Sequence, residues 1–99
     1  MPKQIIWSPL SERDFENILE YLYNEWDEKV AIKFIDIIDI LIKQISINPK
    51  QFPYINKNKK VRKCVITKHN TLFYRDRKEH IDILRIYDTR QNLKNLKFK

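Results

Sequence analysis

The side chains most able to do chemistry crowd into the second half of this chain. The stretch KNKKVRKCVITKH, residues 57–69, holds six Lys or Arg and one His, with no acid among them. A forked guanidinium suits phosphate and carboxylate alike, so Arg62, and further on Arg90 beside Gln91 in DTRQ, are candidates for gripping an anion. Lys68 and His69 have the chemistry to carry protons. A metal is not expected, because one cysteine, Cys64, and a lone neighbouring histidine form no ligand set. The chain contains no glycine, which excludes phosphate-cradling loops and dinucleotide fingerprints, and no cofactor is expected.

Charge is divided unevenly. Residues 1–49 carry five basic and nine acidic side chains, whereas residues 50–99 carry fifteen basic and four acidic. A net +7 therefore conceals an acidic half and a strongly cationic one. Such a split predicts a positive field on one side of the molecule, suited to a polyanion or an acidic protein.

These residues need a scaffold, and 99 residues suffice for a single domain, 1–99, with one modest core. Lys33, Asp36, Asp39 and Lys43 break the longest apolar stretches, well short of the roughly 18 residues that span a bilayer, so no membrane association is expected. The opening MPKQIIWSPL lacks the pattern of an export signal, and a cytoplasmic chain is expected.

Residues 3–7 read as a strand. Ser8 is a natural N-cap with Pro9 in the first helical position. Leu10, Ile18, Leu19, Leu22 and Trp26 then recur at helical spacing. Asp27 can cap a second helix whose core stripe is Ala31, Phe34, Ile35, Ile38, Leu41, Ile42 and Ile45, stopped by Asn48 and Pro49. Ile32, Ile37 and Ile40 lie off that stripe, as flanks of a wide core face or as a partner surface. The segment PKQFPYINKNKK reads as a loop. Strands are expected at 60–68, 71–76 and 80–88, joined by KHNT, with Asn70 at positive φ, and by RDRKEH.

The expected fold is α+β: an N-terminal strand, an antiparallel helical hairpin and a three-stranded antiparallel meander, with the helices on one sheet face. Alternation puts Arg62, Cys64, Ile66 and Lys68 on one face of the first meander strand and Val61, Lys63 and Val65 on the other. Arg62 and Lys63 cannot both belong to one site. Whichever is left over reads as an edge-strand charge that discourages aggregation. In the last strand Ile81, Ile83, Arg85 and Tyr87 oppose Asp82, Leu84, Ile86 and Asp88. Tyr74 and Tyr87 read either as binding residues or as half-buried strand aromatics. Arg90 contacts a target or pairs with Asp88 or the first helix, and His69 reads most simply as a solvated turn residue. Which face carries the site is left open by periodicity.

Two stretches carry a resemblance. IIWSPLSERDFENILEYL and VRKCVITKHNTLFYRDRKEHIDILRIYDTRQN resemble, element by element and in order, the RelE/ParE superfamily of bacterial toxins. The resemblance covers nearly the whole chain and independently implies the β-α-α-β-β-β fold. It implies the toxin half of a type II toxin–antitoxin module, of the kind that stabilises plasmids, with a cognate antitoxin as partner. The target would be DNA gyrase for a ParE-like member, or the ribosome and messenger RNA for a RelE-like one.

A RelE-like endoribonuclease needs a base for the 2′-hydroxyl, a cation for the phosphorane and an acid for the leaving oxygen. By resemblance Arg62 and Arg90 match two of those positions, and Lys68 and His69, which the resemblance does not supply, could substitute as proton carriers. Cys64 and Thr71 stand where such nucleases carry basic residues, and the tail NLKNLKFK has neither Tyr nor His. The resemblance therefore implies a ParE-like toxin that acts by binding, with Arg62, Lys63, Tyr74, Arg85, Tyr87, Arg90 and Gln91 as the residues that meet target or antitoxin. An exposed helix face would also suit a homodimer.

Overall fold

The computed structural model describes residues 2–88. Strand β1 (Gln4–Trp7) leads into helices α1 (Pro9–Glu25) and α2 (Glu28–Ile47). A 3₁₀ turn at Pro49–Gln51 follows, then strands β2 (Tyr54–Asn56), β3 (Val61–Thr67), β4 (Asn70–Asp76) and β5 (His80–Asp88). The helix starts are built as their sequences dictate. Ser8 Oγ accepts the Ser11 N–H at 3.0 Å, with Pro9 next in line, and Asp27 Oδ1 accepts the Val30 N–H at 2.9 Å. Each cap satisfies an orphan donor of the first turn. Only Trp26 and Asp27 separate the helices, so they fold back on each other.

The sheet has five strands in the order β1-β5-β4-β3-β2. The meander β3-β4-β5 is antiparallel, as expected. β1 lies at one edge, parallel to β5, because the hairpin crosses over the sheet before the meander begins. The start of the chain is tied to the end of α2: the Lys3 N–H donates to the Ser46 carbonyl and the Ser46 hydroxyl to the Lys3 carbonyl, at 3.0 and 2.6 Å. The segment expected as a loop contributes β2, a three-residue strand at the opposite edge.

Helix α1 lies over β5 and α2 reaches β3. Their buried stripe of Ile18, Phe34, Ile38 and Ile45 meets Cys64, Leu72, Tyr74, Ile81, Ile83 and Ile86 in the main core. Ile32 and Ile40 are half exposed or more and project away from it. Trp26 also departs from the expected stripe, because it caps α1 and is 69% exposed.

The face alternation expected for β5 fails at one point. Phe73 pairs with Arg85 but Tyr74 pairs with Ile83, which leaves Leu84 as an extra residue in a bulge. Ile81, Ile83 and Ile86 can therefore all join the core under the helices. Leu84 and Tyr87 join Val61 and Phe73 in a second cluster. Asn70 does not take positive φ; among the described residues only Lys60, at φ 57°, does so. The left-handed residue thus falls in the β2–β3 turn and not in the tighter β3–β4 turn, where Thr67 pairs with Asn70 across two residues.

The bulge lies just where β1 gives out. Beyond Trp7, paired with Ile83, β5 has no neighbouring strand on that side. Side chains take over. The Ser8 N–H and hydroxyl donate to the Ile83 and Leu84 carbonyls at 3.0 and 2.9 Å. Asp14 Oδ2 accepts the Ile86 N–H at 3.0 Å and Arg85 Nε at 2.8 Å, while Oδ1 accepts Arg85 Nη2 at 3.0 Å. A carboxylate on α1 thereby stands in for a strand partner. Its hydrogen bond holds the Arg85 guanidinium above its usual pKa, against the cost of burial. Removing one member of a buried ion pair strands the other. Asp14→Ala is expected to cost about 3 kcal/mol, read as a lower urea midpoint, with strong coupling to Arg85→Ala in a double-mutant cycle.

Candidate functional site

The residues nominated from sequence fall into three places. Arg62 and Tyr74 are cross-strand partners on the helix side of β3 and β4. Arg62 is 8% exposed. Its Nη1 donates to the Phe52 carbonyl at 2.6 Å and, at the limit of a hydrogen bond, to the Lys50 carbonyl at 3.4 Å. The guanidinium lies 3.8 Å from the centroid of the Tyr54 ring, and its Nε is buried without a partner. A cation over an aromatic face is attracted by the ring quadrupole. The Tyr74 hydroxyl donates to the Pro49 carbonyl, and Phe52 meets the Tyr74 ring edge-on at 6.3 Å. Together Arg62 and Tyr74 clamp residues 49–54 onto the sheet. Burial pushes the Tyr74 hydroxyl well above its ordinary pKa, opposed in part by the Arg62 charge. Burial also raises the neighbouring Cys64 thiol to about 11.

Lys63 points the other way and is exposed. It sits across from Phe73, beside the second cluster that contains Tyr87, which is 5% exposed. Near it the β2–β3 turn brings Lys57, Lys59 and Lys60 together, and Arg75 Nε donates to the Lys59 carbonyl at 2.9 Å. Arg85 is the partner of Asp14. Arg90 and Gln91 lie outside the described residues.

Lys68 and His69 form the exposed β3–β4 turn. Thr67 Oγ1 donates to Asn70 Oδ1 at 2.9 Å and accepts the His69 N–H at 3.2 Å. Six residues of strand separate Lys68 from Arg62, roughly 20 Å at 3.3 Å per residue. The described candidates for nuclease chemistry are thus not gathered around one point. His69 instead borders an open groove of about 420 Å³, floored by Leu22, Trp26, Val30, Phe34 and Ile37 and edged by Lys33. Sequence reasoning missed this groove. Its signals were Trp26 at a helix end and Ile37 off the core stripe.

A family model described as the ParE toxin of the type II toxin–antitoxin system parDE matches residues 5–93. The chain belongs to the ParE toxin family. It is a type II toxin–antitoxin toxin, and a cognate antitoxin is the partner that membership implies. Solved structures agree on the fold. A chain of the chromosomal ParDE system from P. aeruginosa superposes with a TM-score of 0.73 at 18% identity, covering 87% of this chain and 95% of that one. A YoeB/ParE toxin from Agrobacterium tumefaciens gives 0.62 at 15%, covering 86% and 96%. A YoeB dimer from Staphylococcus aureus gives 0.63 at 18%, covering 88% and 97%. No curated protein sequence matches significantly. Among the described residues of this ParE-family chain, no helix is long and apolar enough to cross a membrane.

The clamp makes two checkable statements. Arg62→Ala removes the donor that holds the Phe52 carbonyl and is expected to destabilise the fold by about 1–3 kcal/mol, with faster amide exchange in residues 50–56. The Cys64 thiol is expected to resist alkylation at pH 8.5 until urea unfolds the protein, because only the thiolate reacts. Its linkage has a definite sign. The unfolded thiol ionises from about 9.0, while the folded one keeps its proton to about 11. Its contribution to stability is therefore full below pH 9 and lost between pH 9 and 11, and a urea midpoint series should show that fall, absent in Cys64→Ala.

Proposed function

We propose that this ParE-family toxin arrests growth in the cytoplasm by binding DNA gyrase, and that it cuts no RNA. The observation that carries the reading is the match to the ParE toxin model across residues 5–93. The geometry supports it. Ribonuclease chemistry needs a base, an acid and a phosphorane-stabilising cation around one phosphate. Here Arg62 is committed to backbone carbonyls and the Tyr54 ring, and Lys68 and His69 occupy a remote turn. Lys63, Arg90 and Gln91 are left as the sequence-nominated residues that meet the target.

Neutralisation by the cognate antitoxin falls to the groove between the helical hairpin and the β3–β4 turn. Its floor is apolar and its rim carries Lys33 and His69, with Lys68 adjoining. That chemistry fits an amphipathic, acidic segment, whose apolar side chains bury while its carboxylates meet the rim. Trp26, which lines the groove and is 69% exposed, is the anchor, because a large aromatic that becomes buried on binding contributes most to affinity.

Expression in growing cells is expected to stop division, and purified toxin to block supercoiling by purified gyrase. Primer extension on messages from arrested cells should reveal no new 5′ ends. Untouched supercoiling, or fresh cuts in messages, would overturn the assignment. Trp26→Ala should leave the arrest intact yet weaken rescue by the product of the adjacent antitoxin reading frame, at least 30-fold in affinity on the usual hot-spot scale of about 2 kcal/mol.

A further inference from the structure

We infer that the β2–β3 turn and the adjoining face of β3 form a docking surface for the phosphate backbone of duplex DNA. This goes beyond the gyrase assignment and does not depend on it. Five cations make the surface: Lys57, Lys59, Lys60, Lys63 and Arg75. The turn that presents the first three is a fixed structure. The Lys60 N–H donates to the Lys57 carbonyl at 3.2 Å and the Lys59 N–H to Asn56 Oδ1 at 3.0 Å. Arg75 is drawn to the same turn by its bond to the Lys59 carbonyl, and the pairing of Val61 with Arg75 keeps it there. Lys63 follows Val61 by two residues on the same side of the strand, about 7 Å along it.

Clustering sets this surface apart: Lys57, Lys59 and Lys60 share one turn, Arg75 is bonded to it and Lys63 lies beside it, with no carboxylate among them. Lys3, Arg77, His80 and Arg85 each face a carboxylate. Among the described residues, none of the five does. Asp82, opposite Arg75 in the β4–β5 register, is engaged by Arg77 and His80. Like charges held close with no counter-charge repel one another, and a ligand supplying anions at regular spacing relieves that repulsion.

Two observations select duplex DNA. Binders of single strands stack bases on exposed aromatic rings. The aromatics on this face, Phe73 and Tyr87, are 6% and 5% exposed, while Tyr54, 41% exposed, pairs with Arg62 on the helix side and carries its guanidinium over the ring. An acidic protein segment would need a continuous apolar floor; beside these cations Val65 and Ile55 are exposed as separate side chains, whereas the apolar groove, lined by Trp26 and Phe34, lies at the other end of β3. What remains is contact with phosphate alone, for which the dense charge of a duplex is the best ligand.

The test is fluorescence anisotropy with a 30-base-pair duplex, using the full chain, at salt from 50 to 200 mM. Five phosphate contacts predict a slope of about −4.5 in log K against log salt, a fall of about 500-fold across that range. The triple variant Lys57→Gln, Lys59→Gln, Lys63→Gln should bring the slope to about −2. The matching Lys→Arg triple should keep it near the original, which separates charge from folding. No binding, an unchanged slope in the glutamine triple, or loss in the arginine triple overturns the inference. So does equal or tighter binding of single-stranded RNA of that length or of polyglutamate. A toxin that blocks supercoiling but shows no such slope overturns the DNA surface alone; a duplex binder that spares gyrase overturns only the gyrase assignment.

Discussion

The sheet's central problem is that its parallel edge strand is too short. β1 pairs with β5 over four residues and ends at Trp7, while β5 continues to Asp88. The polar backbone left uncovered would cost as much as lost hydrogen bonds if buried unpaired. Ser8 and Asp14 answer this from the start of α1. Their side chains take up the Leu84 carbonyl and the Ile86 N–H, so the helix is locked to the strand at the point where the ladder stops. Arg85 balances the Asp14 charge. The same contacts fix where α1 sits over β5, and with it where the hairpin tip and its groove lie.

This arrangement sorts the positive charge into two kinds. Arg62 and Arg85 point inward at carbonyls, a ring and a carboxylate, and hold loop and helix to the sheet. Lys57, Lys59, Lys60, Lys63 and Lys68 point outward from β3 and its two turns. A strand can carry so many cations because alternation sends successive side chains to opposite faces. Val61 and Cys64 bury fully between the basic positions, so the strand's packing rests on few residues and its display on many.

Much of the fold was legible in sequence because its signals are local. Ser8-Pro9 and Asp27 mark both helix starts, the apolar stripe of α2 marks its buried face, and the three meander strands fall within a residue or two of their expected bounds. Family resemblance was legible for the same reason: the motifs follow those elements. What was not legible depends on tertiary partners. The Leu84 bulge has no sequence mark, since HIDILRIYD alternates well enough to read as a regular strand. β2 is too short to show a period. Asn70 is the usual residue for positive φ, yet the reversal needing it fell at Lys60, where three lysines and an asparagine offer no glycine. Arg62 could be nominated as reactive from its type, but only the packed loop reveals that its donors are spent.

The two surfaces proposed for binding lie at opposite ends of β3, and that separation has a mechanical consequence. The groove at the β3–β4 turn is apolar with a sparse cationic rim; the β2–β3 turn is cationic, and Phe73 and Tyr87 on the adjoining face are buried. An antitoxin segment filling the first need not cover the second, so neutralisation by contact alone would leave the cations exposed.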